Sequence, residues 1–357
     1  MKPDRVFTSS LALSLLLAYC NLPAPGANLG GFVPGLIPRF GALMMTGSTN
    51  APQAKYERQY EQIWVLVQNN FLYRNRLHNW SRWRHRYDGQ LTSAQAMQVA
   101  VDRMLSSLND PYTYYRDASA TSLRNQEDLE TNVVDYRIVG KNVGYIRLKT
   151  FSSKSCVDEM RNGMQQLKGA RAIVVDLRDN KGGSVDDAFR IFSMFVKSGQ
   201  FTSMTGIDKK AVVKERLTVS KTKLLDRRGA STKTQSRERN LSKARPLFIL
   251  VDGRTKSAAE MLAGALRDSA GAKLIGTQTY GKGVIQRVWE FDNNTSVKVT
   301  AAAYKLPCGA TIHGVGIKPA IKVLPGKSDK QLQLATRLLW GDRKHPTASN
   351  RQSQNRQ

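Results

Sequence analysis

Ser257 and Lys282 are the residues around which a reaction could be organised. Ser257 follows the apolar run Leu247-Phe248-Ile249-Leu250-Val251 and opens the Ala-rich stretch Ala258-Ala259-Glu260-Met261-Leu262-Ala263. This pattern predicts a buried strand that ends, a helix that begins, and a hydroxyl exposed at the rim of a sheet. Free N–H groups of a first helical turn, at the positive end of the helix dipole, can hold a developing oxyanion. On position alone the plainer reading is a helix cap, the commonest role of serine there. A serine nucleophile also needs a base to take its proton. Lys282 lies between two glycines in Thr279-Tyr280-Gly281-Lys282-Gly283. A lysine can be that base once burial disfavours its charged form. Gln286, four residues on, could hydrogen-bond the neutral amine and orient it. The competing reading of Lys282 is an exposed turn lysine.

These residues need elements to position them. Residues 54–75 read as a helix with one apolar stripe, Tyr60, Ile63, Trp64, Val67 and Phe71. A second helix starts near Thr92, with Gln95 placed for a capping box, and stops at Asn109-Asp110-Pro111. Between them, Trp80-Ser81-Arg82-Trp83-Arg84-His85-Arg86 reads as two tryptophans packed between helices with solvated arginines, rather than a phosphate-binding surface. From Val143 strands and helices alternate. The expected strands are 143–148, 172–178, 247–251, 273–276, 284–291 and 296–304, with helices over 153–168, after Gly183 and from Ser257. Residues 209–245 hold thirteen Lys/Arg against three Asp/Glu, a net of +10, and read as an exposed insertion or a mobile flap. The fold class is α/β (α+β).

Several blocks, in order, resemble the carboxyl-terminal processing (tail-specific) proteases, the S41 group of serine peptidases. They are Asn109-Asp110-Pro111-Tyr112-Thr113, Val143 to Phe151, Asp176-Leu177-Arg178-Asp179-Asn180-Lys181-Gly182-Gly183, Ser257 to Asp268, Thr279 to Gln286, and Gly309 to Pro319. The resemblance covers roughly residues 55–325 and implies a ClpP/crotonase-like protease core behind a helical N-terminal region. It implies Ser257 as nucleophile, Lys282 as general base and Gln286 as its orienter. It implies an oxyanion hole from the N–H of Ala258 and of a glycine in the pair Gly182 and Gly183, with Glu260 and Thr279 as supports. No cofactor or metal is implied. Ala259 stands where relatives commonly have serine. The interval from Thr113 to Val143 is too short for the PDZ module that relatives usually carry there, so capture of a substrate C-terminus by a sheet-edge groove is not expected.

The implied organisation is a signal peptide or lipoprotein signal at 1–27, a linker at 28–53, a helical domain at 54–116, a connector at 117–142, a core at 143–325 with the insertion 209–245, and a tail at 326–357. Lys2 and Arg5 precede an apolar run too short to span a bilayer, as in an export signal. Cys20 follows Leu17-Ala18-Tyr19, a lipoprotein-like box in which Tyr19 departs from the small residue expected. Export to the periplasm or envelope follows, with Cys20 as an optional lipid anchor.

The chain has 357 residues and 55 Lys+Arg against 28 Asp+Glu, a net charge of +27. That excess favours anionic partners, and the block 209–245 could meet an anionic membrane. No zinc finger or other nucleic-acid motif is present, so dedicated nucleic-acid binding is not expected. Three cysteines cannot make a disulfide framework, and four histidines make a His-based metal cluster a poor reading. The expected partner is a protein or peptide substrate. The competing functions are an idle S41-fold scaffold and a Ser/His enzyme using His85.

Overall fold

The computed structural model describes residues 51–127, 129–221, 223–228, 231–326 and 328–341. The expected signal at 1–27 with Cys20, the linker up to residue 50 and the tail beyond 341 lie outside these residues.

Helix α1 (Ala51–Asn70) buries Tyr60, Ile63 and Val67, with Phe71 just beyond its end. Two short 3-10 turns follow, and Trp80 and Trp83 are buried between helices. The neighbouring guanidiniums stack on the ring faces, Arg84 at 5.0 Å from Trp64 and Arg86 at 5.0 Å from Trp83. The packing reading of this stretch therefore holds. Helix α2 (Ala94–Ser106) is capped by Ser93, one residue after the expected Thr92, and the Ser93 Oγ accepts the Ala96 N–H at 3.1 Å. Strand β1 (Tyr114–Arg116), α3 (Ala118–Glu127) and β2 (Val134–Val139) come next, so the connector is itself folded.

The alternating region then gives β3 (Val143–Leu148), α4 (Cys156–Gln166), β4 (Ala172–Asp176), α5 (Val185–Ser193), β5 (Gly199–Asp208), β6 (Ala211–Val219), β7 (Lys223–Arg228), β8 (Ser231–Ser236), β9 (Leu247–Val251), α6 (Ala258–Ala270), β10 (Lys273–Gly276), β11 (Val284–Glu290), β12 (Ser296–Lys305), β13 (Ile321–Lys322) and α7 (Lys330–Gly341). One sheet runs β13-β10-β9-β4-β3-β2, parallel except for β2. Its central strands β4 and β9 are buried at every position, as a parallel sheet covered on both faces requires. The second sheet is antiparallel, β1-β12-β5-β6-β7-β8, with β11 also on β12. Helix α6 is buried from Ala258 to Leu266 between the sheets. Its small residues allow that approach: a Cβ on Gly264 would lie 2.5 Å from Leu306.

The expectation for 209–245 is corrected. Leu217, Val219 and Leu224 are buried, and β6–β8 extend the antiparallel sheet rather than forming a mobile flap. The dense lysines and arginines hid a strand pattern in which alternate residues reach the core.

At the end of β4, Asp176 is buried and accepts from the Tyr145 hydroxyl at 2.7 Å and from Arg178 Nε at 2.9 Å. Arg178 reaches on to Asp329 at 2.8 Å, ahead of α7, and its hydrogen bond holds the Asp329 carboxyl below its ordinary value. A carboxyl depressed in the folded state adds stability that is present above its unfolded value near about 4 and lost as pH falls through the folded one. Hydrogen exchange of the α7 amides, corrected for intrinsic rates, should therefore quicken below about pH 4. In Arg178→Met it should already be fast at neutral pH.

Candidate active site

Three turns leave the C-terminal ends of the adjacent parallel strands β4, β9 and β10, the place where open α/β sheets bind ligands. The turn after β4 carries Gly182 and Gly183, that after β9 carries Ser257, and that after β10 carries Thr279 to Lys282. Direct hydrogen bonds sew them together. Thr255 Oγ1 donates to the Leu177 carbonyl at 2.9 Å, Lys256 N–H to the Asn180 carbonyl at 2.9 Å, and Tyr280 N–H to the Thr255 carbonyl at 3.0 Å.

Glu260 closes the arrangement. It is wholly buried, and its Oε2 accepts the N–H of Ser257 and the N–H of Lys282, each at 2.9 Å. Its Oε1 accepts the Thr279 hydroxyl at 2.5 Å and the Gly281 N–H at 2.7 Å. One carboxylate oxygen thus bridges the backbones of the two residues that the sequence singles out. A buried charge is tolerable only when its lone pairs are filled, and four donors fill them here.

Ser257 has φ 58° and ψ −120°, a left-handed conformation that costs a non-glycine residue on the order of 1–3 kcal/mol. A plain cap does not need that strain, and such outliers collect at functional sites. The turn is held by Glu260 from one side and by the Tyr304 hydroxyl, 3.3 Å from the Ser257 carbonyl, from the other. Gly182 packs against it. A Cβ there would lie 2.8 Å from the Lys256 carbonyl and 2.9 Å from the Ser257 Cβ, and φ is +91°. Only glycine fits. The Gly182 N–H donates to Asn180 Oδ1 at 2.9 Å, so that amide is already engaged.

Lys282 is half-buried. Its Nζ lies 5.3 Å from the centre of the Tyr112 ring. Burial, and then the hydrogen bond with Tyr280, push the Tyr112 hydroxyl up to about 12. Gln286 is buried on β11, and its Nε2 donates to Thr300 Oγ1 at 3.3 Å. The β11–β12 register shifts between Ile285 and Gln286, which sets Gln286 opposite Thr300 rather than Ala301. Beside these residues is a cavity of about 370 Å³ walled by Tyr73, Arg76, Asp110, Tyr112, Tyr280 and His313. His85 is far more exposed and pairs with Asp88 at 3.1 Å, in the helical region.

Among the described residues, the turns bring Ser257, Ala258, Glu260, Gly182, Gly183, Thr279 and Lys282 together. Sequence reasoning missed Asn180, Lys256, Tyr280, Tyr304 and the position of Tyr112 over Lys282. Tyr112 had a signal in the Asp110-Pro111-Tyr112-Thr113 block, and Lys256 and Tyr280 adjoin the singled-out residues. Tyr304 carried none.

Residues 142–323, half of the chain, match the model of peptidase family S41. The chain belongs to that family. It is 30% identical over 249 residues to a carboxy-terminal-processing protease of Bartonella bacilliformis, covering 66% of this chain and 52% of that one. It is 32% identical over 274 residues to a carboxyl-terminal-processing protease of Synechocystis, covering 71% and 59%. The chain spans about half the length of these curated S41 relatives. A solved photosystem II D1 C-terminal processing protease shares the fold, with a TM-score of 0.60 at 19% identity over 81% of this chain and 98% of that one.

In Glu260→Gln, an amide NH2 must face N–H groups that now meet a carboxylate oxygen. Breaking a buried charged network of this kind costs about 3 kcal/mol or more. Urea unfolding should show that loss of stability, and Thr279→Val, which removes one bond to the same charge, should cost about 1.5–3 kcal/mol.

Proposed function

We propose that this S41 protein is an exported serine endopeptidase that cleaves peptide bonds of envelope proteins with a Ser/Lys/Gln centre. The observation that carries the reading is the single Glu260 oxygen that fixes Ser257 and Lys282 side by side, with Ser257 held in a strained turn.

The chemistry follows from the positions. The neutral Lys282 amine takes the Ser257 proton as Oγ attacks the scissile carbonyl carbon. The carbonyl oxygen becomes an oxyanion and accepts from the Ala258 and Gly183 N–H groups, which need no reorganisation to meet it. Lys282, now an ammonium, gives its proton to the leaving amine, and the C–N bond breaks to leave an acyl-serine. Water then attacks the ester, with Lys282 as base again, and Ser257 is regenerated. Gln286 keeps the amine oriented. The short 117–142 segment leaves no PDZ module, so cleavage is not governed by the substrate's last residues. The export signal at 1–27 places the enzyme in the envelope, with Cys20 as a lipid anchor or the signal simply removed.

Purified protein should hydrolyse an unstructured protein substrate, with activity rising with pH as the Lys282 amine deprotonates. Ser257→Ala, Lys282→Ala and Lys282→Arg should each lower kcat/KM by about a thousandfold or more while circular dichroism is unchanged, the arginine because a guanidinium stays protonated. An inert wild-type protein of intact fold would favour the scaffold reading.

The basic strands β6–β8 are a second contact surface in this reading. Lys209, Lys210, Lys221 and Lys223 stand at their turns, and each basic group near a charged membrane adds about 1 kcal/mol. Sedimentation should show binding to anionic vesicles but not neutral ones, lost at high salt and lost when these four lysines become Gln.

A further inference from the structure

Two acids stand in the core-facing rows of the strands that carry the basic block. Burial alternates along β6, with Glu215, Leu217 and Val219 inward, and along β7, with Leu224 and Asp226 inward. Glu215 is 8% exposed and Asp226 5%. In register Glu215 faces Arg228 and Leu217 faces Asp226, so the two acids are diagonal neighbours on one face. Their carboxyls hydrogen-bond each other. Glu215 Oε1 and Asp226 Oδ1 are buried and meet no donor among the described residues.

An ionised carboxylate has acceptors only. A hydrogen bond between two carboxyls therefore needs a proton, and two bare charges this close in a core would repel. From this arrangement we propose that Glu215 and Asp226 form a proton-binding site, in which one proton held between the two carboxyls fastens β6 to β7 and is given up as the strands part.

The groups packed around the pair fit one negative charge rather than two. Lys233 of β8 lies directly across from Asp226. Arg287 of β11 walls, with Glu215, Met204 and Val213, a cavity of about 30 Å³. Arg287 Nη1 donates to Asn70 Oδ1 at 2.7 Å and to Asp208 Oδ1 at 3.1 Å, and Asp208 also takes Arg228 at 2.9 Å. Arg287 and Lys233 favour an ionised Glu215. Burial, and then the bond with Asp226, outweigh them and hold the Glu215 carboxyl well above its ordinary value. Asp226, with Lys233 across from it, is the acceptor and Glu215 the donor.

The sign of the pH effect follows. When β6 and β7 part, Glu215 meets water and releases its proton at any pH above its ordinary value near about 4.3. Between that value and the raised one, parting becomes easier by about tenfold per pH unit for the one proton released. The attachment is tightest in acid and loosens as pH rises.

Hydrogen exchange of the β6 and β7 amides, corrected for intrinsic rates, tests this from about pH 6 to about pH 8. Protection in wild type should fall by about a hundredfold over that range. In Glu215→Gln, whose amide can donate to Asp226 at every pH, it should stay level. Equal slopes in the two proteins, or no slope in wild type, overturn the proposal. Infrared spectra of wild type with carbon-13 in the glutamate carboxyls give a readout that needs no variant. Ordinary glutamates are ionised at about pH 7, so a protonated glutamate band should persist there and vanish only in alkali. Its absence at neutral pH overturns the proposal. Should Glu215→Gln fail to fold by circular dichroism, the infrared band decides alone.

Discussion

The buried carboxylate of Glu260 is the constraint on which the site depends. It sits on the first turn of α6, the helix between the two sheets, yet its acceptors serve the turn after β10. A charge in that position has no water to fall back on. It is stable only when the Ser257 turn and the Thr279–Lys282 turn are both in place, so the cost of leaving it unpaired forces the two turns together. The strain at Ser257 is borne by the same bonds. A local conformation unfavourable by itself persists because its surroundings over-determine it.

Much of this was legible in the sequence, for a physical reason. Strands buried on both faces have to be runs of apolar residues, and β4 and β9 read directly as such. The turns that follow them were marked by Gly182-Gly183 and by Ser257 before an Ala-rich helix. What stayed hidden were partnerships between distant residues. Nothing in Tyr304 announces a hydroxyl against the Ser257 carbonyl, and nothing in Thr300 announces Gln286. The block 209–245 misled because charge density looks like solvent exposure. In strands, one residue in two suffices to reach a core.

The positive excess has a related explanation inside the fold. Arg237 donates to the carbonyls of Ser193, Val196, Lys197 and Ser220, and Arg245 to those of Leu167, Ala170, Leu241 and Ser242. Arg178 ties Asp176 to Asp329. Arg237 and Arg245, with donors in a fixed fork, thus bind together the carbonyls of loops and helix ends, and Arg178 joins two carboxylates. The net charge therefore overstates what the surface offers to partners.

The Thr279 hydroxyl that donates to Glu260 also accepts the Ile317 N–H at 2.7 Å, and Thr279 N–H donates back to the Ile317 carbonyl at 3.1 Å. Gly314 N–H meets the Gly281 carbonyl at 2.9 Å. The chain is made from its N-terminus, so Ser257 and Lys282 exist well before residues 314–317 arrive to clamp the second turn. Until then the second turn lacks its clamp, and Ser257 and Lys282 have no fixed relation. A half-made polypeptide thus carries both turns without what fixes them, so the geometry of the candidate site is a late product of synthesis.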